Sequence, residues 1–277
     1  MGALARSGVA GRYGLSLALC LHMSFQRIGL GLLLVLSFSC GGDDDNDKNP
    51  RTRDDFCSDW AEAACSPETV SACQAPDATS CRDAQKDACR KLVPAGFSDE
   101  KGQACIDAVK AAYADADLTA SELKVVLRLG SPCDKLIKGD KDKGEDCAAN
   151  ADCDAPAGYV CIRHADASTG TCQISESVGG GKDCSAKQKV CEVGFYCDGD
   201  NCLESKDAGD ECSIQEQCGT SAFCNASGKC ETKHKVSTAC TSDRECGDGI
   251  CYEFEGKKLC TDRVRLGRGE PVCEDLM

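Results

Sequence analysis

Between Cys147 and Cys260 the chain states one cysteine phrase four times, and that frame limits the fold more than any other feature. In the most regular copy, Cys212, Cys218, Cys224 and Cys230 are separated by five residues each time, Gly209-Asp210-Glu211 leads in, and Phe223 precedes the third cysteine. The copy before it is Cys184, Cys191, Cys197 and Cys202, with Gly180-Gly181 upstream and Phe195-Tyr196 ahead of its third cysteine. Cys240, Cys246, Cys251 and Cys260 follow, and Cys147, Cys153, Cys161 and Cys172 form a first copy that is longer in its second half. No residue between the cysteines recurs with obvious chemistry, so the frame says what builds the unit and little about what it does.

With 26 cysteines in 277 residues, the chain belongs where disulfides form and persist, which disfavours the cytosol. The N-terminus agrees. Ile28 to Phe38 is an almost unbroken apolar run, too short to span a bilayer and suited to the apolar core of an export signal. Ser39-Cys40-Gly41-Gly42 closes it, followed by Asp43-Asp44-Asp45. The stretch from Met23 to Gly42 resembles a bacterial lipoprotein signal, which implies that residues 1–39 are removed and that Cys40 carries the lipid. Setting aside Cys20 and Cys40 leaves 24 cysteines, an even number that can all pair. Arg27 ahead of the apolar run makes Met23 the expected start of translation. Losing Arg6, Arg12 and Arg27 takes the formal charge from −14 to −17, an acidic surface that repels nucleic acid and anionic lipid.

Residues 40–55 read as the lipidated cysteine and an acidic, disordered tether. Residues 56–133 are Ala-rich and carry helix-start signals at Ser66-Pro67, at Ser80 with Asp83, and at Thr119 with Glu122. Four or five short helices are expected. Ile106, Val109 and Tyr113 form one apolar stripe, and Leu123, Val126 and Leu127 another. Trp60, the only tryptophan, belongs to the core of this part. Cys57, Cys65, Cys73, Cys81 and Cys89 fall eight apart, with Cys105 further on. Eight residues of helix rise about 12 Å, whereas a disulfide joins Cα atoms within about 7 Å, so these thiols must reach across to a neighbouring helix. Two antiparallel helices stapled as Cys57–Cys89 and Cys65–Cys81 satisfy this, leaving Cys73 for Cys105.

Residues 134–146 read as a linker. The repeats occupy 147–172, 173–202, 203–230 and 231–260, with a tail at 261–277. From Leu136 onward only 20 of 142 residues are Val, Ile, Leu or Phe, too few to fold by apolar burial alone. Two bridges per unit, each stabilising by roughly 3 kcal/mol for a loop of about 15 residues, compensate. Asp198-Gly199, Ser227-Gly228 and Asp248-Gly249 mark hairpin turns. Cys133 and Cys273 flank the array and are expected to pair. The fold class is therefore small disulfide-rich: an N-terminal disulfide-stapled α-helical domain followed by tandem short β-hairpin cysteine-rich repeats.

The units at Gly181-Lys182-Asp183-Cys184, Cys191, Phe195-Tyr196-Cys197 and Cys202, with the parallel sets at Cys212 to Cys230 and Cys240 to Cys260, resemble the N-terminal cysteine-rich module of Dickkopf-type proteins. A similar motif is strung in tandem in surface lipoproteins of gliding bacteria. The resemblance covers Gly144 to Cys260 and implies an extracellular binding or structural module.

Catalytic and metal chemistry find little support. No closely spaced Cys or His pair offers a zinc or redox site. Gly180-Gly181-Lys182-Asp183 lacks the features of a phosphate loop, and His164 and His234 read as exposed loop histidines. No cofactor, metal or catalytic residue is expected, nor any enzyme activity. The leading function is a membrane-anchored, non-catalytic structural or binding lipoprotein of the cell envelope, on the outer membrane. It would be held through Cys40 and bind an extracellular protein or glycan, with no nucleic-acid partner. The alternative is a secreted inhibitor of a protease or other hydrolase, with Lys187 to Lys189 or Arg244 presented to a trypsin-like target. Ligand recognition would fall to the variable loops Ile162 to Thr171 and Tyr252 to Leu259.

Overall fold

The computed structural model describes residues 50–163 and 168–274. The expected export signal, Cys40 and most of the expected tether lie outside them. All 24 cysteines from Cys57 to Cys273 are joined in twelve disulfides.

Helix α1 (Arg53–Ala64) begins within the stretch read as tether. Thr52 caps it, its hydroxyl accepting from the Asp55 amide while the Asp55 carboxylate accepts from the Thr52 amide. Ser66 caps α2 (Pro67–Cys73), with Pro67 at the first helical position. In α3 (Ala78–Leu92) the cap is Asp77, which accepts from the Ser80 amide at 2.8 Å. The expected Ser80–Asp83 box is thus displaced by three residues, because the better-placed carboxylate starts the helix one turn earlier. After α4 (Gly102–Ala112), the Thr119–Glu122 box opens α5 (Ala120–Arg128) as the spacing required.

Helices α1 and α3 are stapled by Cys57–Cys89 and Cys65–Cys81, with Cα atoms 5.5 and 5.9 Å apart. This is the cross-helix arrangement that eight-residue spacing demands. Trp60 is enclosed between them, and its indole N–H donates to Gln85 Oε1 at 3.2 Å. Phe56, Val109, Leu118, Leu123 and Leu136 complete the fully buried centre. Buried Thr69 donates to the Tyr113 carbonyl at 3.1 Å, tying the start of α2 to the end of α4.

The remaining pairings differ from expectation. Cys105 joins Cys133, and Cys73 joins Cys273 across 200 residues of sequence. Both follow from packing. Cys133 opens a 3-10 turn, Cys133–Leu136, whose end is hydrogen-bonded to Ser98 just ahead of α4. Cys273 sits in a short helix α6 (Pro271–Glu274), which the rest of the tail returns to the helical domain. There, strand Arg263–Arg265 pairs antiparallel with Asp117–Thr119, Leu118 opposite Val264. Ile250, Tyr252, Val264, Leu266 and Val272 consequently join the same core as Trp60.

The stretch Asp134–Asp146 is anchored as well: Leu136 is buried, Ile137 bridges to Phe97, and the Lys138 amide donates to the Gly96 carbonyl at 2.7 Å.

Each repeat is built by the same backbone bonds. A lead residue, Lys141, Val178, Lys206 or His234, pairs in parallel with the second cysteine of its unit, Cys153, Cys191, Cys218 or Cys246. Three residues on, Gly144, Gly181, Gly209 and Ser237 have φ of 89°, 70°, 105° and 67°. Their amides donate to the carbonyl of the fourth cysteine at 2.7, 2.7, 2.7 and 2.8 Å. Positive φ explains why glycine stands in three of the four copies. The first cysteine always bridges the third, and the second the fourth. The third and fourth face each other across the hairpin, as Cys161 with Cys172, Cys197 with Cys202, Cys224 with Cys230, and Cys251 with Cys260. Asp198-Gly199 and Ser227-Gly228 lie in the hairpin turns. Asp248-Gly249 does not. The last hairpin turns at Glu255-Gly256, both with positive φ, and Gly249 instead meets the opposite strand, where an added Cβ would lie 2.3 Å from the Thr261 carbonyl oxygen.

Candidate binding cleft

Side chains between the cysteines do recur, as parts of the frame. In copies one, three and four the third residue after the first cysteine is Asn150, Gln215 or Asp243. Its side-chain oxygen accepts from the amide of the third cysteine at 2.9, 2.9 and 2.8 Å. The residue before the second cysteine, Asp152, Gln217 or Glu245, accepts from the amide just after the first. Backbone donors that a short hairpin leaves open are thereby satisfied. The amide bonds from Ala148 and Ala149 hold the Asp152 carboxyl below its ordinary range. Burial pushes Glu245 up, but bonds from Thr241 and Ser242 outweigh it and the net shift is down. The pattern of one amide or acid side chain at each of two fixed places was legible in the sequence. The second copy lacks it; there Asp183 bonds Ser185 and Lys189, which pull its carboxyl down to about 2.

Sulfur atoms of the first, second and fourth cysteines in copies one, two and four, and of Cys212, Cys218 and Cys224 in copy three, lie within 4.8 Å of one another. Each belongs to a disulfide, and a disulfide sulfur lacks the thiolate charge by which cysteine holds a metal. His234 packs edge-on against Phe223 at 5.5 Å, and its Nδ1 lies 2.9 Å from the Ala239 carbonyl oxygen. It is thus a half-buried part of the joint between repeats three and four, where the sequence suggested an exposed loop. His164 lies outside the described residues. Of the basic residues considered for an inhibitory loop, Lys187 is in a turn, Lys189 pairs with Asp183, and Arg244 sits in the 3-10 turn Asp243–Glu245.

Where repeat four meets the helices, the surface opens into a cleft of about 610 Å³. Its inner wall is the outer side of the core: Trp60 of α1, Tyr113 after α4, Val126 of α5, Tyr252 of the last hairpin, and Val272, all of them buried. Tyr252 also accepts from the Val272 amide at 3.3 Å, which fixes the ring in place. The rim is charged. Arg128 pairs with Asp243 at 3.4 Å and reaches the Cys251 carbonyl; Lys258 stands 3.9 Å from Glu253; Lys91 has no acidic partner among the described residues. Gln85 contributes an amide already bonded to Trp60. The polar and charged groups of the rim are thus the more accessible part of the cleft, with the aromatic side chains behind them. The hydroxyls of Thr241 and Ser242 both turn to Glu245.

Of the two loops expected to carry recognition, Ile162 to Thr171 includes residues outside the described set, whereas Tyr252, Glu253 and Lys258 of the second line this cleft. The contribution of Trp60, Lys91 and Arg128 had no signal in the sequence, because it depends on repeat four docking on the helices. Among the described residues no helix is long and apolar enough to cross a membrane, and the dense disulfides are consistent with an extracellular or secreted protein. No family model, curated protein or solved structure matches the chain.

Proposed function

We propose that this chain is a non-catalytic, lipid-anchored binding protein of the cell envelope. In this reading it is held to the outer membrane through Cys40 and takes a glycan unit or a protruding protein side chain in the cleft between helical domain and fourth repeat. The cleft carries the reading: its volume of about 610 Å³ falls within the size range of small-ligand sites, and such sites favour seams between structural units. Its inner wall is backed by buried Trp60, Tyr113 and Tyr252 beneath a rim of paired and unpaired charges, a composition suited to a ligand with one apolar face and a polar edge. The inhibitor alternative is less well supported, since its candidate basic residues stand in turns or in an ion pair.

Trp60 is the only tryptophan and lies buried directly behind the cleft, so its emission reports on changes in the packing of the cleft's inner wall. Titrating the Cys40-free ectodomain with an oligosaccharide panel and with surface proteins captured from native cells should shift or quench that emission for the true ligand, and Lys91→Ala or Arg128→Ala should weaken the response. A ligand that binds tightly while leaving Trp60 emission unchanged would move the site elsewhere. For the anchor, Cys40→Ser should release the full chain from membranes; continued sedimentation with them counts against lipidation.

A further inference from the structure

A second concavity runs across the repeats themselves, away from the cleft, with a volume of about 1140 Å³. Its charge runs against that of the molecule. The chain carries −14 overall, yet the groove is lined by Arg163, Lys189 and Arg244 and by a single acid, Glu216. Lys189 is matched by Asp183, and Arg163 lies near enough to Asp152 to help hold that carboxyl down, but neither Arg163 nor Arg244 makes an ion pair with a carboxylate among the described residues, and both are exposed. Asn150 commits its side-chain oxygen to the Cys161 amide, which leaves its NH₂ group outside that bond, whereas Gln215 is held at both ends, accepting from the Cys224 amide and donating to the Ala222 carbonyl. Between these polar groups run Val160, Val190, Phe195 and Ile214, all half-buried.

We propose that this groove binds an extended acidic segment of a partner polypeptide, with carboxylates on Arg163 and Arg244 and apolar side chains on the strip between them. Guanidinium groups free of a close ion pair among the described residues are suited to bidentate carboxylate recognition, and a surplus of positive charge on an acidic protein steers such a segment to this face. The apolar strip favours a polypeptide over an acidic polysaccharide, whose hydroxyl-covered faces would leave Val160, Val190 and Ile214 uncovered. This inference does not depend on the aromatic cleft.

The test uses the full ectodomain with two fluorescent probes of equal charge: a twelve-residue peptide alternating Glu with Val, and an oligogalacturonate. The peptide should bind, and raising NaCl from 50 to 500 mM should weaken it. The Arg163→Glu/Arg244→Glu variant, checked for intact disulfides and unchanged circular dichroism, should bind it at least about tenfold more weakly, as losing two charge-assisted contacts implies. Trp60 emission should stay constant throughout, which separates this site from the cleft. Absence of peptide binding, equal binding by the charge-reversed variant, or a preference for oligogalacturonate would each overturn the proposal.

Discussion

At the scale of single residues, Ser237 tests the account of the repeat frame. It occupies with φ of 67° the place that Gly144, Gly181 and Gly209 fill in the other copies. A residue with a Cβ is penalised there by about 1–2 kcal/mol, whereas glycine adds unfolded-state entropy that offsets about 0.4–1 kcal/mol. Ser237→Gly should therefore stabilise the fourth repeat by about 0.5–1 kcal/mol in guanidinium denaturation with disulfides intact, and Gly209→Val should destabilise the third. A loss of stability in the serine variant would contradict the assignment. Asp183 supplies a pH test. Because Lys189 and Ser185 lower its folded pKa to about 2, below the unfolded value of about 3.9, its contribution is present above the unfolded pKa and lost as pH falls through the folded one. The carboxyl carbon of Asp183 should titrate near pH 2 by NMR, with the Ser185 amide shift following it; a midpoint near 4 would mean that these bonds are not held in solution.

At the scale of elements, two of the three joints between neighbouring repeats share one contact. The aromatic residue before the third cysteine of one unit meets the cationic or imidazole lead of the next: Lys206 lies over the Tyr196 ring at 5.8 Å, and His234 packs edge-on to Phe223 at 5.5 Å. Each lead also pairs with the second cysteine of its own unit, so this contact sets the placement of one repeat on another. A double-mutant cycle on Phe223→Leu and His234→Leu should give a coupling of about 0.5–1.5 kcal/mol. Amide exchange at the His234–Cys246 pairing should speed up in both single variants. Additive effects, with no change in exchange, would reduce the contact to coincidence. The cysteine spacing announced the hairpins, and the aromatic before the third cysteine was visible beside it. That the aromatic serves the next unit was not visible, since nothing local distinguishes a ring packed within its own hairpin from one packed across a joint.

For the whole molecule, the decisive feature is that the repeat array begins and ends on the helical domain. Cys73–Cys273, the pairing of Asp117–Thr119 with Arg263–Arg265, and the burial of Ile250 and Val272 in the core around Trp60 hold repeat four there. Cys73→Ala/Cys273→Ala should cost about 2 kcal/mol or more, raise exchange at the Leu118 and Val264 amides, and alter Trp60 emission while leaving the first three repeats protected. Unchanged exchange would show that apolar packing alone holds the seam. The sequence by itself determined the disulfide-rich class, the helical and repeat regions, two of the three helix starts, both apolar stripes, and the Cys57–Cys89 and Cys65–Cys81 staples. Each of these follows from local spacing: a helical period, a capping residue, or a reach too long for one helix. Tertiary structure alone decided where Cys73 and Cys105 find partners, how the Lys138 region and the tail are anchored, and that Trp60 and Tyr252 share one cleft. Those outcomes depend on which apolar surfaces meet after the units have formed, and residues so distant along the chain carry no shared period from which that meeting can be read.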